Sequence, residues 1–318
     1  MIERLKFWII NSRVFALAIT FFSWLVIFVY SAKQGGNIML GLVALVGIAM
    51  AHLATNILDD YFDYKVLSKD EKYMNSAQQC KCEFIRTGQA TMNEVLFVGG
   101  FYCSIALLTG VFLAFKVGLP VVWLGVVGGI ITLFYSKCSL VGLSEVAVAI
   151  AYGPLLFEGV YYVMTKTFSI EVLILSFALV FFSVGFLYSH MLLDFDGDLT
   201  SHKKTLCIRI GDKHKALRLL PIFYVLGYGT IAYFAILTGQ YLYFLTYISI
   251  FWAVKSYNYM KSFNQDKTFL PEVHWYNKPL DDWSNLKNTP VASFYFRIFQ
   301  SRNLMIYFAL ILVIVMLF

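Results

Sequence analysis

Long apolar runs govern what this chain can fold into. Nine of them, roughly residues 14–32, 38–58, 94–115, 119–135, 143–164, 168–193, 217–238, 240–258 and 303–318, come close to the ~17–25 residues that a helix needs to cross a bilayer. Lipid offers no water to backbone N–H and C=O groups, so each run must satisfy them internally, as a helix does. No alternating ten-residue pattern points to a barrel. Composition agrees: 59% of the 318 residues are hydrophobic and 14% charged, with a mean hydropathy of +0.70, which excludes an ordinary soluble domain. The expected fold is all-α: a polytopic membrane protein with nine transmembrane helices in a single domain, 1–318.

Charge sets the expected orientation. With the N-terminus in the cytoplasm, 22 of the 25 Lys and Arg residues fall on the cytoplasmic side, and only Lys33, Lys116 and Lys166 lie opposite. The net charge of +6 then reflects orientation and anionic membrane lipid, and gives no reason to invoke nucleic acid. Residues 1–13 read as an interfacial helix, with Arg4, Lys6 and Arg13 between apolar positions. Residues 64–93 and 194–216 read as cytoplasmic cap loops, and 259–302 as a cytoplasmic loop to which no role is assigned. Cys80 and Cys82 read as free thiols, because two closely spaced cysteines fall short of a four-ligand zinc site.

Two run ends carry the chemistry. The second run closes in Asn56, Asp59, Asp60 and Asp63, at i, i+3, i+4 and i+7 and so on one helical face. Carboxylates at a helix C-terminus oppose its dipole by about 0.3–1 kcal/mol each, and a divalent cation relieves both that and their mutual repulsion. The sixth run closes in Asp194 and Asp198, again one face if the helix persists through Gly197. Asn56–Asp60 and His190–Asp194 share a layout, as internal duplication in a membrane fold would produce.

Cations follow each cluster. Lys65, Lys69, Lys72, Lys81 and Arg86 trail the first, and Lys203, Lys204 and Arg209 the second. More cations than neutralisation requires, next to acids, suit a highly negative ligand bridged by metal, such as a diphosphate with magnesium. Tyr135 and Lys137 close the fourth run at the same depth. Gly153-Pro154 breaks the fifth, as tolerated where a helix faces protein or a cavity. Thr91 is the expected cap of the third.

These residues resemble the UbiA superfamily of intramembrane prenyltransferases. Asn56, Asp60, Tyr61 and Asp63 match its first motif, N-D-x-x-D with a preceding Asn, with Asp59 in place of the motif Asn. Asp194 and Asp198 match its D-x-x-x-D. Within it, Lys203, Thr205, Leu206, Arg209 and Gly211 follow the G-K-x-T-L-x-x-R-x-G of the menaquinone-pathway 1,4-dihydroxy-2-naphthoate polyprenyltransferases, with His202 replacing Gly; Gly142-Leu-Ser-Glu-Val146 and Gly153-Pro154 match further features of that branch. The resemblance implies nine helices around a central cavity open to lipid, Mg2+ as cofactor, and transfer from a polyprenyl diphosphate to an aromatic acceptor, a naphthoate or another phenol. It implies Asn56, Asp59, Asp60, Asp63, Asp194 and Asp198 as metal ligands and Asn56, Arg86, Lys137, Lys203, Lys204 and Arg209 as diphosphate contacts. The expected catalytic set is Asp60, Asp63, Asp194, Asp198 and Tyr135, the last stabilising an allylic cation through its π face. The implied location is the inner membrane, with the site toward the cytoplasm.

Two other readings remain open on the residues alone. The same chemistry on 4-hydroxybenzoate is one; a cation-coupled transporter is the other, since intramembrane acids mark ion pathways. A transporter predicts acids near the midplane, whereas both clusters here close their runs.

Overall fold

The computed structural model describes residues 2–74, 82–200 and 202–318, with no side-chain description at Ile2, Lys72 and Tyr73. Of the described residues 83% are helical, and none of them forms a strand. An amphipathic helix α1 (Ile2–Asn11) precedes α2 (Leu17–Lys33), α3 (Ile38–Leu67), α4 (Met92–Val117), α5 (Pro120–Val141), α6 (Ser144–Thr165), α7 (Ile170–Leu193), α8 (Lys213–Thr238), α9 (Ile250–Gln265) and α10 (Ala292–Leu317). Eight of these, α2 to α8 and α10, are long and apolar enough to cross a membrane. Among those eight, α10 and α7 are the most buried, and α4 and α5, which show Phe97, Phe115 and Trp123 outward, the least.

Contacts between helix ends define two faces. At one, Asn37 N donates to Met164 O at 2.8 Å, the Tyr162 hydroxyl to Val117 O at 3.1 Å, and Lys33 Nζ to Met316 O. The ends of α2, α4, α6 and α10 therefore meet there, together with Lys33, Lys116 and Lys166. The C-terminal ends of α3 and α7, which carry the acidic motifs, lie at the other. Thr91 caps α4 as expected, its hydroxyl accepting from Glu94 N at 3.3 Å in a reciprocal box.

Two expected boundaries are corrected. The eighth run, expected as a helix over 240–258, is a 3-10 segment (Tyr241–Ser249) running into α9. Thr246 and Ser249 hydroxyls bond the carbonyls three residues back, at 2.7 and 2.6 Å, in keeping with the tighter winding. The composite lies antiparallel to α8 along its length: Phe234 against Tyr243 at 5.3 Å, Tyr228 sharing a hydrogen bond with Ser249 at 2.7 Å, and Asn264 Nδ2 on Lys213 O at 3.3 Å. The ninth run, expected from 303, begins at Ala292, because Arg297, Gln300, Arg302 and Asn303 interrupt the apolar pattern yet are buried. The fifth run breaks where expected: within a π-turn at Ala151–Leu155, Gly153 leaves the helical region at φ -101° and ψ -111°, kinking the run ahead of Pro154.

The segment 266–291 is pinned to α10 by those polar residues. The Arg297 guanidinium donates to Tyr259 O at 2.7 Å, Ser293 O at 2.8 Å, Phe269 O at 3.0 Å and Ser262 Oγ at 3.0 Å. Arg302 pairs with Asp281 and donates to Pro279 O at 3.0 Å, and Asn277 bonds Gln300 at 2.8 Å. Every one of these partners turns a polar face of α10 into an internal contact.

Candidate active site

The loop that follows the second acidic motif reaches the first. Lys203, buried in the loop after the second motif, donates from Nζ to Asp63 Oδ2 at 2.7 Å, while its backbone N–H donates to Asp198 O at 3.0 Å. One residue thus touches both. Asp59, Asp60, Asp63, Asp198 and Lys203 are all buried, with 7% exposure or less.

The second motif differs from a continuous helix. α7 stops at Leu193, Asp194 is its cap, and a new turn runs Phe195–Thr200, with Asp198 N donating to Asp194 O at 2.8 Å. The i,i+4 relation survives the break. Gly197 leaves room for the Asp194 carboxylate: a Cβ there would stand 2.5 Å from Oδ1 and push that side chain aside. The intervening Asp196 faces outward, where Lys213 at 2.8 Å and Lys267 hold its carboxyl below the usual range despite partial burial.

A cation that sequence patterning placed in an interfacial helix enters the site. Arg13 lies beyond α1 in the left-handed region, φ 57°, and its guanidinium contacts Asp60 and sits 3.6 Å from Asp59. Burial opposes its charge, but Asp60 and then Asp59 outweigh burial and keep it protonated above its ordinary range. Asn56 positions this arm: its amide donates to Ser12 O at 3.0 Å. The Cys82 thiol contacts Asp60 O at 3.4 Å, and burial with the nearby carboxylates pushes it well above the ordinary thiol range; Cys80 and Lys81 lie outside the described residues.

Other expected residues divide. Lys137 and Lys65 line a cavity of about 200 Å3 with Asp63 and Ser136, their ammonium groups over the Phe134 and Tyr61 rings at 5.0 and 4.3 Å. Tyr135 lies close enough to Asp59, Arg13, Glu145 and Tyr152 to feel their charges. Arg86 is gripped by Glu83 at 2.7 and 2.9 Å and donates to Met74 O at 3.2 Å. The Lys204 side chain is exposed, and its N–H donates to Ser139 O at 2.9 Å. The Arg209 guanidinium donates to Val141 O at 2.8 Å, at the C-terminal end of α5.

Glu145 was noticed in the sequence without a role. Its Oε1 accepts Leu206 N–H at 2.7 Å, so it orients the turn Leu206–Ile210 that follows Lys203. With Arg209 on Val141 and Lys204 on Ser139, the second basic loop is clamped to the α5–α6 corner. Gly142 makes that corner possible at φ 76°, and a Cβ there would lie 2.2 Å from the Arg209 guanidinium. Gly142→Ala is expected to destabilise by about 1–3 kcal/mol, read as a lowered thermal midpoint in detergent; an unchanged midpoint would show the clamp to be slack. His202, in place of the motif's Gly, also has positive φ, 56°, which is why Gly suits that position.

Deeper on the same face of α3, His52 Nδ1 lies 2.5 Å from Thr20 Oγ1 and 2.9 Å from the Tyr152 hydroxyl. Three helices meet there, with Tyr152 in the π-turn. Neither His52 nor Thr20 stood out in the sequence, since single polar residues inside apolar runs show no pattern.

Among the described residues no three His, Cys, Asp or Glu side chains converge as a ready-made metal cage. The donor set is nonetheless all carboxylate oxygen, which suits Mg2+, an ion held by one or two carboxylates plus substrate phosphates.

An all-helical, membrane-spanning chain with two acidic helix ends closing on one buried cationic point is the class of protein in hand. A family model described as the UbiA prenyltransferase family matches residues 12–277, and the chain belongs to that family. Its members are transferases. No curated protein matches. The fold is similar to that of a UbiA homologue from Archaeoglobus fulgidus bound to DMAPP and Mg2+, at 15% identity and TM-score 0.57 over 96% of this chain and 98% of that one. It is also similar to the apo structure of a UbiA homologue from Aeropyrum pernix K1, at 14% identity and TM-score 0.55 over 94% and 96%.

Proposed function

We propose that the protein transfers a polyprenyl group from polyprenyl diphosphate to an aromatic acceptor, and that the acceptor is 1,4-dihydroxy-2-naphthoate, in menaquinone biosynthesis. The observation that carries this is Lys203, bonded to Asp63 of one motif and Asp198 of the other. Asp59, Asp60 and Asp63 on one wall and Asp194 and Asp198 on the other would hold Mg2+, which when bound supplies charge for a departing diphosphate. Lys203, Lys137 and Lys65 add positive potential where that charge grows. The buried apolar helices keep water from the allylic cation, and Tyr135 presents a π face to it. His52, Thr20 and Tyr152 form the polar group suited to an acceptor hydroxyl below the diphosphate. Ring attack then forms the carbon–carbon bond, with loss of the naphthoate carboxyl group.

The 3-10 segment and α9 together measure about 40 Å, enough for a ninth crossing. With nine crossings the Lys and Arg bias supports a cytoplasmic N-terminus, a cytoplasmic acidic face and an inner-membrane location. The liganded relative, bound to DMAPP and Mg2+, supports the donor and the metal.

Purified protein with Mg2+, a polyprenyl diphosphate and competing naphthoate and benzoate acceptors is expected to yield the prenylated naphthoate-derived product by mass spectrometry. Product from 4-hydroxybenzoate alone would move the acceptor to the phenol reading. No product from either, with ion flux in liposomes, would favour a transporter.

A further inference from the structure

We propose that Arg13 is the resting counter-ion of the first carboxylate cluster and passes from those carboxylates to the diphosphate when metal and substrate enter. The proposal rests on the functional reading above and adds a moving part to it. The guanidinium now contacts Asp60 and lies 3.6 Å from Asp59, the oxygens a divalent cation would take. Two cations cannot share one pair of carboxylates without strong repulsion at such distances. A diphosphate arriving with the metal offers the displaced guanidinium a better partner, since its planar fork matches phosphate oxygens in pairs.

The arm that carries Arg13 is built to hold and to yield. Ser12 is fully buried, with its carbonyl on Asn56 Nδ2 at 3.0 Å and its hydroxyl donating to Trp8 O at 2.6 Å. Arg13 itself sits in the left-handed region, a conformation that a non-glycine residue keeps only while its surroundings impose it. α1 rides on the same arm: Phe7 and Trp8 meet Phe84 edge-on at 5.9 and 6.2 Å, and Arg4 donates to Gln89 O at 2.8 Å. Moving Arg13 a short way therefore alters how α1 sits over the loop that bears Cys82 and Arg86.

The exchange predicts effects of opposite sign from one substitution. Measured on the full chain in detergent, Arg13→Gln is expected to bind Mn2+ alone about tenfold more tightly, by electron paramagnetic resonance, because a competing cation is gone. The same variant is expected to bind geranyl diphosphate about tenfold more weakly at saturating Mn2+, by calorimetry, because a phosphate ligand is gone. Arg13→Lys should fall between the two in both titrations. If Arg13→Gln weakens both, the residue is only a brace and the exchange is wrong; if it changes neither, Arg13 is a bystander and the exchange is equally wrong. Wild-type protein that binds neither Mn2+ nor geranyl diphosphate would overturn the prenyltransferase reading itself, and this inference with it.

Discussion

Asp60→Asn is expected to lower prenyl transfer by about 10²–10³-fold, the range seen when one group stabilising transition-state charge is removed. Stability should hardly change. Asp60 is buried next to Asp59 and Asp63, so neutralising it relieves like-charge repulsion on the α3 end, while Arg13 keeps Asp59 within 3.6 Å. Asp194→Asn, on the opposite wall, should behave alike. The measurement is turnover and thermal midpoint on the same preparations. Turnover within a factor of a few of wild type would remove Asp60 from the metal set, and a collapse of both quantities would make it structural.

Arg297→Met is expected to do the reverse, with a large loss of stability and no direct effect on chemistry. The side chain is completely buried and donates to Tyr259 O, Ser293 O, Phe269 O and Ser262 Oγ. Methionine fills similar space but donates nothing, leaving acceptors within the protein unsatisfied at a cost of about 3–5 kcal/mol in all. Segment 266–291 should loosen first, giving faster tryptic cleavage at Lys267 and Lys287 and a midpoint lower by roughly 10 °C. Arg297→Lys should recover part of this, since an ammonium reaches some of the carbonyls but not all. Unaltered cleavage and melting would show that the segment is held elsewhere.

Much of this was legible in the sequence, for physical reasons. Run length and the absence of water in lipid leave few choices of secondary structure, so the helical class followed. Asp60, Asp63, Asp194 and Asp198 stood out because carboxylates closing apolar runs need an explanation. Arg13 was hidden for the opposite reason: a basic residue flanking a first span is ordinary, and its partner is 47 positions away. The Arg209 contact with the Val141 carbonyl was not legible, since a motif position says nothing about which backbone carbonyl a guanidinium meets. The start of α10 was missed because Arg297, Gln300 and Arg302 imitate a solvated loop, and only tertiary partners make them interior.

Those same inward arginines bear on biogenesis. An arginine costs up to about 2.5–3.5 kcal/mol at the centre of a lone membrane helix and less toward its end, so α10, with two in its N-terminal half, enters lipid less readily alone than docked. Its integration is expected to be aided by α9 and residues 266–291, which receive the guanidinium groups. Insertion of this helix and its tertiary packing would then be coupled.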